Sequence, residues 1–141
     1  MTQESRDKIV LLVGIEGIYD LLLLDESFPD YAAWFLNAVF GSDKSKWIDY
    51  SFRDSSLVDM DALKRVHHVI LYSLKDELID EKQGKFFVDF IKSKGCFSPA
   101  NLMCILCVGG SVSYNDQVLT SSHDGVLLQS ELFKHLADII V

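Results

Sequence analysis

Three short aliphatic runs, separated by segments whose apolar residues recur at helical spacing, constrain the fold more than any other feature. The runs are Lys8–Val13 (KIVLLV), Val66–Ser73 (VHHVILYS) and Asn101–Gly110 (NLMCILCVGG). Uniformly apolar runs of this length are typical of strands that are buried on both faces, as in parallel sheets covered by helices. We therefore predict an α/β fold with about three parallel strands and flanking helices.

Helical segments alternate with these runs. We predict helices between Pro29 and Gly41, over Glu81–Ser93 and over Val126–Ile140, with Ser111–Ser122 as a loop. In the closing helix we expect these apolar residues to face inward: Val126, Leu127, Leu132, Phe133, Leu136 and Ile139 or Ile140. No repeat or linker divides residues 1–141. The sequence therefore predicts a single, partial α/β domain, because three strands alone leave apolar edges at both sides of the sheet.

The charge and the apolar pattern argue against two kinds of partner. The chain of 141 residues has a formal net charge of −8, which disfavours a surface for nucleic-acid phosphates. No apolar run approaches the roughly 20 residues that a membrane span requires. We therefore expect a soluble, cytoplasmic protein with neither a nucleic-acid nor a membrane partner.

The three cysteines are Cys96, Cys104 and Cys107, and the last two have C-x-x-C spacing. A structural zinc site would need a second ligand pair, and a redox motif normally opens a helix rather than lying within an aliphatic run. We interpret these residues as buried thiols and expect neither a metal nor a cofactor. An odd number of cysteines without a signal peptide favours a reducing compartment.

Two residues follow predicted strands at the carboxyl ends, where the functional groups of parallel sheets gather. Asp76 comes just after the second run, and His123 lies in the loop after the third. A carboxylate that accepts from one imidazole nitrogen leaves the other nitrogen to act as a base. Two simpler interpretations stay open: Asp76 as a solvated loop acid, and His123 as part of a helix entry. His67 and His68 lie within a predicted strand, and we interpret them as packing residues.

Four segments, in order along the chain, resemble α/β-hydrolases, and two of them resemble one branch of these enzymes, the fungal kynurenine formamidases. GIYDL (17–21) and FPDYAAWFLNAVFG (28–41) resemble the segment that follows the sixth strand of that family. LYSLKDELID (71–80) is similar to the acid-bearing loop of α/β-hydrolases in general, and SSHDGV (121–126) to their histidine loop. The resemblance implies the C-terminal part of an α/β-hydrolase fold that converts N-formylkynurenine to kynurenine and formate in tryptophan degradation. It also implies that Asp76 is the acid and His123 the base of a Ser-Asp-His triad.

The nucleophile of that family is missing from the sequence. Neither the G-x-S-x-G turn nor the H-G-G motif occurs in the 141 residues, and GGSVS (109–113) has the wrong spacing. Removing the nucleophile of such a site lowers the rate by about 10⁶, so we expect the chain to be inactive alone. It would act on a small-molecule substrate only when an N-terminal half completes it. A separate short product, a split-gene half and a truncated gene model all stay open. The alternative is a non-catalytic remnant that acts as a binding or homo-oligomerisation module.

Overall fold

The computed structural model describes residues 8–53, 58–95 and 110–140. Within these ranges one open sheet contains three parallel strands, in the spatial order of the chain: β1 Leu11–Ile15, β2 His67–Ser73 and β3 Val112–Leu119. The predicted mixed α/β fold with three parallel strands is confirmed at this level. Every residue of the central strand β2 is buried, as its continuous apolar run predicts.

The helices of the described ranges are α1 Leu21–Ser27, a π-helical turn Ala32–Leu36, α2 Asn37–Phe40, a 3₁₀ helix Lys44–Tyr50, α3 Met60–Arg65, α4 Glu81–Ser93, a second 3₁₀ helix His123–Leu128 and α5 Ser130–Ile140. The predicted bounds of α4 are confirmed. Gly41 ends α2 at a φ of 79°, a conformation that favours glycine. Over the same ranges no helix combines the length and the apolar composition needed to cross a bilayer.

The prediction of a loop over Ser111–Ser122 is wrong, because Val112–Leu119 forms β3 and pairs with β2. Most residues of β3 are polar, so the strand lacks the aliphatic pattern that marks β1 and β2. Backbone pairing with the buried strand β2 stabilises it instead, and that pairing is not visible in local sequence. The strand predicted at Asn101–Gly110 lies, up to residue 109, outside the described residues, as do all three cysteines.

The closing helix also differs from its prediction. The segment from His123 to Leu128 is 3₁₀-helical and α5 begins only at Ser130, so a single 3.6-residue period does not run through residues 126–140. Val126, Leu132 and Ile139 are buried as predicted. By contrast, Leu127 is 59% exposed and Phe133 is 60% exposed, so the prediction that these two side chains face inward is wrong.

Two apolar clusters cover the two faces of the sheet. On one face Ile70 and Val112 pack against α4 through Phe87 and Ile91. On the other face Val69, Leu71 and Leu119 pack against the 3₁₀ segment and α5, through Val126, Leu132 and Ile139. This three-layer arrangement leaves the carboxyl ends of the three strands, where the loops begin, at one end of the sheet.

Candidate functional site

Three side chains from three different strand ends meet at the carboxyl end of the sheet. Glu16 follows β1 directly, Asp76 lies in the turn after β2, and His123 begins the 3₁₀ helix after β3. Since β2 lies between β1 and β3 and all three strands run parallel, these loops leave the sheet at the same end. The Glu16, Asp76 and His123 atoms able to bind a metal lie within 4.8 Å of one another.

The structure brings the two predicted site residues into direct contact. His123 Nδ1 lies 2.9 Å from Asp76 Oδ2, although 47 residues separate them in the chain. Asp76 Oδ1 accepts from the backbone N–H groups of Leu78 and Ile79, at 2.8 and 2.9 Å. Both oxygens of Asp76 are therefore engaged, and its side chain is fully buried. This arrangement fixes the carboxylate in space and orients the imidazole.

The loop that carries His123 is tied to the end of β2. Ser73 Oγ donates to the carbonyl of Ser121 at 2.5 Å, and the His123 backbone N–H donates to Glu77 Oε2 at 3.2 Å. Ser122 precedes the 3₁₀ helix without a side-chain capping hydrogen bond. The His123 ring also contacts the carboxyl groups of Asp76 and Glu16, which the interpretation of His123 as a helix-entry residue does not predict.

The charges around His123 favour its protonated form. Burial alone would lower the pKa of the imidazole, but the hydrogen bond that Nδ1 donates to Asp76 and the negative charges of Asp76 and Glu16 outweigh it and raise the pKa above its ordinary value. The His123 side chain is still 31% exposed. With Nδ1 facing the acids, Nε2 is the nitrogen left to exchange a proton with another group.

Sequence reasoning missed Glu16. Its side chain is 2% exposed, and its Oε2 lies 3.4 Å from His123 Nδ1. Neither of its oxygens has a hydrogen-bond partner in the described part of the chain. Burial, together with the charge of Asp76, raises the pKa of Glu16 to about 7, and His123 opposes that shift. The signal that could have found it is the placement that pointed to Asp76, namely an acid at the end of an apolar run. Glu16 lies three residues after Val13, where the first strand was predicted to end, just as Asp76 lies three residues after Ser73, so the same argument applied to it.

The two histidines of β2, His67 and His68, are buried and each contacts a neighbouring segment of the fold. His68 is 2% exposed, and its Nε2 lies 3.0 Å from the Leu63 carbonyl. Burial lowers the pKa of His68, which keeps the ring neutral near pH 7. His67 Nδ1 lies 2.8 Å from Ser111 Oγ. Both rings are packed, as the sequence predicted.

The chemistry that this end of the sheet supports is general acid–base catalysis by an imidazole held by carboxyl groups. The same three side chains are also of the types that bind divalent cations. Comparison of the chain with protein-family models, with curated proteins and with solved structures found no match.

Proposed function

We propose that this chain is the acid- and base-bearing part of a kynurenine-formamidase-like α/β-hydrolase, with Asp76 as the acid and His123 as the base. The observation that carries the proposal is the 2.9 Å contact between Asp76 and His123 at adjacent parallel strand ends. The GIYDL and FPDY motifs, in their order before these residues, add support. The serine nucleophile and the oxyanion donors lie outside the 141 residues, in a preceding segment or a separate chain.

In the proposed reaction, His123 Nε2 takes the proton of the serine hydroxyl as the serine oxygen attacks the formyl carbon of N-formylkynurenine. Asp76 stabilises the resulting imidazolium through Nδ1. The imidazolium then gives its proton to the aniline nitrogen as the C–N bond breaks, which releases kynurenine and leaves a formyl ester on the serine. A water molecule, deprotonated by His123, then attacks the ester carbon. The bond between that carbon and the serine oxygen breaks, the imidazolium returns its proton to the serine oxygen, and formate is released.

The outer edge of β1 is where the nucleophile-bearing part would pair. Within the described ranges β1 has a neighbouring strand on one side alone. Leu12 on this strand is 47% exposed, and Val10 just before it is 60% exposed. An unpaired, apolar strand edge is a template for adding another strand.

The test is complementation. The purified chain is mixed with a candidate N-terminal half that carries H-G-G and G-x-S-x-G, and hydrolysis of N-formylkynurenine and of a p-nitrophenyl ester is followed. We expect activity in the mixture alone. His123→Ala should abolish it, and Asp76→Asn should lower kcat by about 10²–10⁴, because the wrong tautomer is then favoured. His135→Ala, a histidine substitution within α5, is the matched control and should leave the rate unchanged. A stable complex without activity, or one indifferent to His123→Ala, would contradict the proposal.

A second candidate function is self-association without catalysis. The observation that favours it is the exposure of apolar side chains at two places in the fold: Leu12 at the β1 edge, and Leu127 and Leu128 in the second 3₁₀ helix with Phe133 in the first turn of α5. Sedimentation velocity of the isolated chain separates the two candidates. A concentration-dependent dimer that buries this surface, and that excludes an N-terminal half, would favour the second.

A further inference from the structure

The backbone at Glu16 is unusual. Glu16 has a φ of 48°, and it is the one non-glycine residue of the described ranges with a positive φ. Residues other than glycine rarely adopt this backbone conformation, and such backbone strain is concentrated at functional sites. The Glu16 N–H donates to the Leu71 carbonyl at 3.0 Å, which extends the β1–β2 pairing by one residue. The sheet therefore holds the strained residue in place.

The strained backbone directs a carboxyl group into the site. Glu16 is 6% exposed as a residue, and neither carboxyl oxygen has a hydrogen-bond partner among the described residues. A buried carboxyl group without a partner is destabilising unless it is neutral or faces a compensating charge. The cation-forming group within reach is the imidazole of His123, 3.4 Å away.

The surroundings of Glu16 contain more acids than bases. Asp76 from the turn after β2 and His123 from the segment after β3 act on it most strongly, and the Tyr72 hydroxyl of β2 also responds to its charge. Glu77 accepts a hydrogen bond from the backbone N–H of His123, and Asp124 acts on the imidazole through its charge. The ionisation of Glu16 therefore depends on a neighbouring carboxyl group and on the imidazole.

We propose that Glu16 is a positioning residue: with Asp76 it forms a carboxyl pair on Nδ1 of His123, and this pair sets the orientation and the proton affinity of the imidazole. The inference rests on the proposed role of His123 as a base. Glu16 itself is no nucleophile, since it is buried and lies on the same nitrogen as Asp76. When Glu16 is ionised, its negative charge stabilises the imidazolium of His123 and therefore slows proton transfer from His123 to the leaving group.

The experiment is an NMR titration of the full chain, labelled with ¹⁵N in histidine and ¹³C in glutamate. In the wild-type chain we expect the Glu16 carboxyl to titrate near neutrality, together with the His123 ring. In Glu16→Gln we expect the pKa of His123 to fall by about 0.5–1, with Nδ1 still protonated through Asp76. Glu26→Gln, at an exposed glutamate of α1, is the matched control and should leave His123 unchanged.

Three results would overturn the inference. One is a Glu16 carboxyl that titrates near its ordinary value without affecting His123, which the wild-type chain reveals even if Glu16→Gln does not fold. Another is an unchanged His123 titration in a folded Glu16→Gln chain. The third is Glu16-dependent broadening of the His123 signals by micromolar Mn²⁺, which would make the three side chains a cation site. Because the titration needs no nucleophile, its failure is separate from failure of the complementation assay.

Discussion

Glu16 and Asp76 lie against the same imidazole nitrogen, but the surroundings of the two carboxyl groups differ. Two backbone N–H groups donate to Asp76 at 2.8 and 2.9 Å. Glu16 makes no such well-formed hydrogen bond within the described chain: His123 Nδ1 lies 3.4 Å from its Oε2, and the Ser73 backbone lowers the pKa of Glu16 by less than burial raises it. Backbone N–H donors stabilise a negative carboxylate, whereas burial without such donors favours the neutral form of a carboxyl group. Asp76 and Glu16 lie at the ends of neighbouring strands but therefore differ in how well their surroundings stabilise a negative charge.

The raised pKa of Glu16 predicts how the stability of the fold depends on pH. The pKa of Glu16 is raised from 4.5 to about 7, so the folded state binds more protons than the unfolded state between these values. The pKa of His123 is raised as well, so its contribution has the same sign and is lost as pH rises through the folded-state pKa. The free energy of unfolding should therefore fall as pH rises from about 5 to 8.

For Glu16 we expect a loss of about 1–2 kcal/mol over this range, less than the full pKa difference implies, because the partly exposed His123 admits solvent screening. Urea unfolding at several pH values measures it. Glu16→Gln should flatten most of the slope, and Glu26→Gln should preserve it. A stability that rises from pH 5 to 8 would show that the sign is wrong.

At the scale of elements, a buried glutamine of α4 holds the segment between β1 and α1. Gln83 Oε1 accepts from the N–H groups of Tyr19 and Asp20, and Gln83 Nε2 donates to the Asp20 carbonyl. Asp20 in turn accepts from the Leu23 N–H at the start of α1 and pairs with Arg53. This network fixes the chain a few residues beyond Glu16.

Gln83→Leu should destabilise the chain by about 3 kcal/mol, because it leaves the N–H groups of Tyr19 and Asp20 unpaired, whereas the Asp20 carbonyl still accepts from the Leu24 N–H. Chemical denaturation measures the change. Lys82→Leu, the exposed neighbour on the same helix, is the control and should stay within about 0.5 kcal/mol. If Gln83→Leu were neutral, the segment after β1 would not depend on α4, and neither would the position of Glu16.

For the molecule as a whole, we predict that association depends on the outer edge of β1, which has no neighbouring strand among the described residues. Leu12→Lys places a charge on that edge, and edge lysines oppose strand addition. We expect it to weaken binding of a nucleophile-bearing half, or self-association, at least tenfold, with little effect on unfolding. Sedimentation velocity measures both, and Val39→Lys, at a residue of α2 that is 61% exposed, is the control. Equal association of the two variants would place the interface elsewhere.

Much of the fold follows from local pattern. The buried strand β2 and the helix α4 could be predicted because a continuous apolar run and a 3.6-residue stripe are properties of a few neighbouring residues. Asp76 and His123 were predicted as a pair because groups at the ends of adjacent parallel strands converge. The contact of the pair agrees with that geometric argument, and its catalytic role stays a prediction.

What only the tertiary structure decided depends on residues distant in sequence. The polar strand β3 exists through pairing with β2, so nothing within Ser111–Ser122 marks it. Glu16 follows an ordinary apolar run, but its burial and its proximity to His123 arise from chain more than a hundred residues away. The sequence by itself determined the alternation of apolar runs and helices and the strand-end position of Asp76. Tertiary structure decided which acids face the imidazole, because burial and electrostatic interaction depend on distances in space rather than along the chain.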